Sequence, residues 1–364
     1  MLFRLLFAYC ILAQLEFKVN TKSVTKCVII KASQYKQQML RLPQALSLSL
    51  SLILAASAAS LPHATSAEPL IEAGHYKRAR AVLAARLQEN PNDAYALYLT
   101  SKDKESLGDL RGATTAAEKA VALDPRSADF HAQLAECYAY TAEKSSWMRA
   151  LALVHQMKDQ INAALSFQPH HTDTLLVAMM FYFHAPKLAG GDRHKAHEIA
   201  QEIVTHDPRW GYLAQARLAQ EGASDTQIET ALKQAVQADP THYRATYELA
   251  RFYCCVAKSP NVTQAERTGR QLLNLDASRG GGYAILASTY ATAHRWSDLD
   301  AVIDASLKGA SDDLAPFYEA AKVLIAENQE LPRAQKYLNT YLSQEPEGRQ
   351  PGWAEAKVLL KRVQ

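Results

Sequence analysis

The sequence lacks the short motifs that announce chemistry. It has no glycine-rich nucleotide fingerprint, no serine nucleophile elbow and no zinc-protease motif, so none of those enzyme classes is indicated. Cysteine is scarce: of five in 364 residues, only Cys137, Cys254 and Cys255 lie beyond residue 67. An odd number excludes complete pairing within one chain. Cys254 and Cys255 are adjacent, and adjacent residues point to different sides of a helix. They are expected to be poor partners and to serve as small buried residues.

Positive charge is also short once its location is considered. The chain carries 40 basic and 37 acidic residues, a formal net charge of +3. Seven of the basic and one of the acidic residues fall within residues 1–67, leaving 33 against 36 and a net of −3. The remainder has no nucleic-acid footprint.

Residues 42–61 are uncharged and rich in Leu, Ser and Ala, preceded by Met39-Leu40-Arg41 and followed by Thr65-Ser66-Ala67. A basic start, apolar middle and small-residue exit make residues 39–67 a secretory signal peptide, with export across the inner membrane to the periplasm and no membrane insertion after cleavage. The alternative is an uncleaved anchor, because about 20 apolar residues can span a bilayer. The shortage of Ile, Val and Phe and the small-residue exit favour cleavage. No cysteine follows the signal, so a lipoprotein is not indicated. Residues 1–38 place a second apolar run, Leu2 to Leu15, ahead of the signal. They are expected to be a mis-called upstream extension, with translation beginning at Met39; a second anchor is the alternative.

Repetition is what the chain does have. L-A-x-x-Y occurs at Leu134–Tyr138, Leu249–Tyr253 and Leu286–Tyr290. A second pattern sets two small or apolar residues seven apart and a proline five later, as in Ala113/Ala120/Pro125 and Ile228/Ala235/Pro240. The prolines at 91, 125, 169, 208 and 240 are separated by 34, 44, 39 and 32 residues. Leu and Tyr four apart share one helix face, and the small residue between them admits a neighbouring helix. Proline then ends the second helix, because it lacks an N–H. One such hairpin cannot bury its apolar face alone, whereas a stack can.

These residues resemble the tetratricopeptide repeat (TPR) family over roughly residues 68–364, although no copy has the tryptophan that often opens the first helix. The resemblance implies an all-α, right-handed superhelical solenoid. Eight units are expected at 68–91, 92–125, 127–169, 172–208, 210–240, 241–277, 281–309 and 314–346, with an end helix at 353–363 capping the last apolar face. Asp192 and Asp225 are placed to cap the second helices of their units. The turn Phe183-His184-Ala185-Pro186 to Gly190-Gly191-Asp192 also looks like a loop of bacterial envelope TPR proteins, among them components associated with tripartite periplasmic transporters.

In that family the first helix of each hairpin lines a concave groove. Arg244, Tyr247 and Arg251 lie at i, i+3 and i+7, on a face rotated away from Leu249 and Tyr253, and Arg217 holds the corresponding side of the preceding unit. Guanidiniums beside an aromatic ring suit a carboxylate or an acidic peptide. The plainer account is a solvated face with internal ion pairs, for example to Glu248. The arrangement does not reproduce the carboxylate clamp of chaperone-binding TPR domains. Toward the N-terminal end the same face offers Tyr95, Tyr98 and Lys102, then Asp129 and Glu136, with Phe183 and Trp210 as wall or as packing. Histidines gather at 170, 171, 184, 194, 197 and 206. His194 and His197 share a face, but no carboxylate or cysteine lies at matching spacing, so no metal and no cofactor are expected.

The sequence therefore points to a non-catalytic scaffold in the cell envelope that binds a protein or peptide, with an acidic one as an option. The alternative is a transport accessory or binder of a small anion, with the groove or an enclosed pore as its site. The two differ in whether the groove stays open or the chain self-assembles or encloses a cavity. The oligomeric state is not readable.

Overall fold

The structure, a computed structural model, describes residues 64–348 and 352–363. The expectations for residues 1–38 and for the signal up to residue 63 lie outside the described residues. All regular structure among the described residues is helical. In chain order the α-helices are α1 Ala64–Ala73, α2 Tyr76–Glu89, α3 Ala94–Ser106, α4 Leu110–Leu123, α5 Ala128–Glu143, α6 Trp147–Phe167, α7 Thr172–His184, α8 Arg193–His206 and α9 Pro208–Ala219. They continue with α10 Asp225–Ala238, α11 Tyr243–Arg251, α12 Val262–Leu275, α13 Gly280–Thr292, α14 Trp296–Gly309, α15 Ala315–Ala326, α16 Leu331–Tyr341 and α17 Trp353–Leu360.

Each odd-numbered helix from α1 to α15 packs on its even-numbered successor to make a hairpin. Odd-numbered helices also stack on one another: α1 on α3, α3 on α5, α5 on α7, α7 on α9, α11 on α13 and α13 on α15. The fold is a helical solenoid, closed at its C-terminal end by α17, which lies on α15 and α16 with Ala356 fully buried.

The local sequence explains the register. Leu134, Leu249 and Leu286 are buried, and the alanines that follow them, Ala135, Ala250 and Ala287, are 0 % exposed. Those alanines let helices meet with no side chain to wedge them apart. The tyrosines of the same motif bury their rings and donate their hydroxyls to a glutamate on the second helix of the preceding hairpin. Tyr138 reaches Glu118 at 3.1 Å, Tyr253 reaches Glu229 at 2.8 Å and Tyr290 reaches Glu266 at 3.2 Å. A buried phenol needs such an acceptor. Gly211 serves the same purpose by having no side chain, since a Cβ there would lie 2.3 Å from the backbone of Val204 on α8.

Helix starts follow capping chemistry. Asp93, Asp109, Ser127, Asp192 and Asn261 each accept a backbone N–H from the first turn that follows. For α10 the cap is not Asp225 but Ser224, which forms a reciprocal capping box with Gln227. Asp225 stands one residue inside the helix and accepts the backbone N–H of Lys258 at 2.9 Å. The expectation for the adjacent cysteines is also corrected, because Cys254 and Cys255 are joined in a disulfide. Both lie in a π-helical turn, Phe252–Val256, into which the chain widens after α11. Cys137 stays a free, buried thiol, pushed up to about 12 by burial.

The two ends of the solenoid meet. The start of α2 lies against the turns that follow α12, α14 and α16. The backbone N–H of Lys77 donates to Glu347 at 2.8 Å, and its ammonium reaches the carbonyls of Asp312 at 2.6 Å and Glu345 at 3.0 Å. Arg78 and His75 both reach Asp312, at 2.8 and 3.4 Å. Gly348, at φ +58°, lies flat on Tyr76, where a Cβ would come within 2.2 Å of the ring.

Candidate functional site

The sequence proposes two groups of residues on the odd-numbered helices. The structure brings Arg244, Tyr247 and Arg251 of α11 together around Glu248. That carboxylate lies 2.7 Å from Arg244 and 3.1 Å from Arg251, each oxygen taking one guanidinium. Glu248 is the more enclosed partner, at 14 % exposure against 50 % and 42 % for the arginines. A carboxylate held between two guanidiniums is the geometry an incoming acid would have to replace.

Tyr247 is half-buried, and burial pushes its hydroxyl above the ordinary phenol value, with Arg251 pulling it back and Glu319 of α15 adding to the rise. Its ring lies against Gly281, where a Cβ would come within 3.1 Å of it. The neighbouring Tyr243 carries the Arg279 guanidinium over its ring at 3.7 Å and accepts the backbone N–H of Gly282 at 3.2 Å. Sequence reasoning missed Tyr243 and Arg279. The available signal was the run Gly280-Gly281-Gly282 opening α13, which leaves room for two tyrosines to lie on a helix backbone.

Arg217 does not join this group. On α9 its Nε donates to the Met180 sulfur of α7 at 3.2 Å, and its charge acts on His184 and Glu143.

The second group is assembled on α3. Tyr95 and Tyr98 have ring centroids 5.7 Å apart, and Tyr98 continues to Phe130 at 5.2 Å. The Lys102 ammonium donates to the Tyr98 hydroxyl at 2.9 Å. Burial works against that ammonium, but Tyr98, Asp173 and Glu136 hold its proton affinity above the ordinary lysine value. Asp129 is held below the usual carboxylate range by its contact with His171 at 3.1 Å. The α3 end is thus a lysine among carboxylates, whereas the α11 end is richer in guanidinium. Phe183 is buried in the core, and Trp210 is half-buried where two core clusters adjoin, edge-on to His242 at 5.0 Å.

The histidines sort differently from their order in the chain. The expectation that no carboxylate lies at matching spacing is corrected: exposed His194 pairs with Glu198, four residues on, at 3.3 Å, and Glu202 stands four residues before His206, while His197 turns its ring toward the edge of Phe183. The group that gathers is His170, Glu202 and His206.

No family model and no curated protein matches the chain. Among solved structures it is similar to a thermophilic TPR protein of Thermus thermophilus, at 20 % identity over 52 % of this chain and 96 % of that one, with a TM-score of 0.46. It is similar to a tetratricopeptide repeat protein of Parabacteroides merdae at 14 % identity, 83 % and 97 % coverage and a TM-score of 0.41. Yeast Tom70 is similar at 13 % identity, 83 % and 74 % coverage and a TM-score of 0.44.

Proposed function

We propose that this solenoid is a non-catalytic binding scaffold that takes a protein or peptide on the face formed by α3, α11 and α13. The observation that carries the reading is the pairing of aromatic rings with charge on partly solvent-accessible helices. Tyr243, Tyr247 and three arginines stand at one end, and Tyr95 and Lys102 at the other, where Tyr98 is buried in the core and supports them. Aromatic rings supply rigid contact area and arginines supply directional bonds, the residue types that dominate binding energy at interfaces. No described helix is long and apolar enough to cross a membrane. The leader composition supports export to the periplasm, with a mature N-terminus near Glu68. Affinity capture from envelope extract, using bait that begins at Glu68, tests the scaffold. Capture of the same protein by the wild type and by Arg244→Ala/Arg251→Ala would place binding elsewhere.

A second reading, a transport accessory or binder of a small anion, is favoured by the meeting of the two ends. A solenoid whose first hairpin is tied to its last three turns restricts wrapping around a folded partner and suits a threaded segment or a small molecule. Native mass spectrometry of protein purified without denaturation separates the two, because a retained small anion appears as a discrete added mass and a peptide as a larger one.

A further inference from the structure

We propose that His170, Glu202 and His206 form a binding site for one divalent first-row transition ion of the zinc or copper type. Glu202 and His206 are four residues apart in the last two turns of α8 and therefore share a face. His170 comes from the turn after α6, across the boundary between consecutive hairpins. The candidate ligand atoms all lie within 4.8 Å of one another, and the His170 Nδ1 to Glu202 separation is already 3.0 Å. Around a tetrahedral zinc, with bonds of about 2.0–2.2 Å, neighbouring ligand atoms stand roughly 3.3 Å apart. No separation therefore has to close by more than about 1.5 Å. His170 and Glu202 are 54 % and 38 % exposed and His206 is exposed, so rotamer changes can supply that closure without moving backbone.

The surroundings favour a cation. His206 sits in the last turn of α8, where unpaired carbonyls gather negative potential. The two imidazoles stack with centroids 3.7 Å apart, so one exposed ring turns out of the stack to bring both in-plane nitrogens onto one ion. Neighbouring groups are already committed. His171 bonds Asp129 and Thr174, and Asp207 bonds Arg209 at 3.0 Å. Three protein ligands thus leave at least one position to water. Two nitrogens and one carboxylate oxygen, with no thiolate, match borderline ions and not calcium or magnesium. Such an ion would tie the turn after α6 to the end of α8.

The test uses purified chain free of any polyhistidine tag, titrated with ZnCl2 by calorimetry and with CoCl2 by visible absorption. The expected result is one equivalent of zinc and a tetrahedral cobalt spectrum. His206→Ala and Glu202→Gln should each weaken that equivalent at least tenfold, and His194→Ala should leave it unchanged. All three variants should keep the wild-type circular dichroism. Zinc should raise the Tm of the wild type and of His194→Ala only. No saturable equivalent in the wild type, an equivalent that survives both His206→Ala and Glu202→Gln, or equal loss in His194→Ala would overturn the site.

Discussion

Lys77 and Glu347 stand 270 residues apart and hold the two ends of the solenoid together, through a backbone N–H to carboxylate bond of 2.8 Å and an ammonium–carboxylate contact of 3.3 Å. Glu347 is 1 % exposed and Lys77 21 %. The ammonium also donates to two backbone carbonyls, those of Asp312 and Glu345. Lys77→Ala should cost about 1–3 kcal/mol, because it removes the ammonium from beside a buried carboxylate and takes the donor from two backbone carbonyls. Hydrogen exchange should accelerate at the start of α2 and around residues 343–348 and stay unchanged in α9. Uniform acceleration would mean the seam is not a local unit.

The same carboxylate gives a pH signature. Burial pushes the Glu347 carboxyl up to about 6 from an ordinary 4.5, with Lys77 pulling it back. A raised carboxyl means that the folded state prefers the protonated acid. Its stabilising share is full below pH 4.5 and is lost as pH rises through about 6. The Tm of the wild type minus that of Glu347→Gln should therefore fall as pH rises across that window. Taking the difference cancels the titration of His184 and His242, which the two proteins share. A difference that grows with pH would show that attraction to Lys77 outweighs desolvation.

Helix contacts should resist bulk. Ala250 is 0 % exposed on α11, and Ala250→Leu should overpack the site at a cost of about 1–3 kcal/mol. Lys308→Ala, on the exposed side of α14, should change stability by under about 0.5 kcal/mol. Urea denaturation of both variants checks this, and equal midpoints would refute the register of α11.

The fold was legible because its signals are local. Leu249 and Tyr253, four apart, define a helix face on their own, and Asp239-Pro240 marks where a helix ends. The seam was not legible, since nothing near Lys77 announces Glu347. The vicinal disulfide was hidden too, because Cys254 and Cys255 were placed on an ideal α-helix and the chain leaves that geometry at Phe252. At the candidate site the spacing of Arg244, Tyr247 and Arg251 was readable. Which carboxylate they hold was one option among several, and Arg217's turn toward Met180 depends on how α9 sits against α7.

The tyrosine–glutamate contacts between hairpins offer a graded test. Tyr253→Phe removes the hydroxyl that reaches Glu229 but keeps the ring, and Glu229 retains Lys233 as an ion-pair partner. A cost of about 1 kcal/mol is expected, against about 3–5 kcal/mol for Tyr253→Ala, which also empties the core. Equal costs for the two variants would assign the whole effect to the hydrogen bond and none to the ring.

The arginine pair leads to the sharpest expectation. If Arg244 and Arg251 take an acidic partner, Glu248 competes with that partner, because it already occupies both guanidiniums. Glu248→Gln removes the competing charge and should tighten binding of an acidic peptide. Arg244→Ala/Arg251→Ala should weaken it, and lysine replacements should not restore it where the bonds are bidentate. Wild-type affinity should fall with added salt, since exposed charges are screened over about 8 Å at physiological ionic strength. The Glu248→Gln variant should show the steeper salt dependence, having two uncompensated guanidiniums to offer. Fluorescence anisotropy with a labelled poly-glutamate peptide reads all four proteins in one format. If Glu248→Gln binds no better than the wild type and the double alanine variant binds no worse, the α11 face is a self-paired surface. Tyr95 and Tyr98 on α3 then become the face to probe.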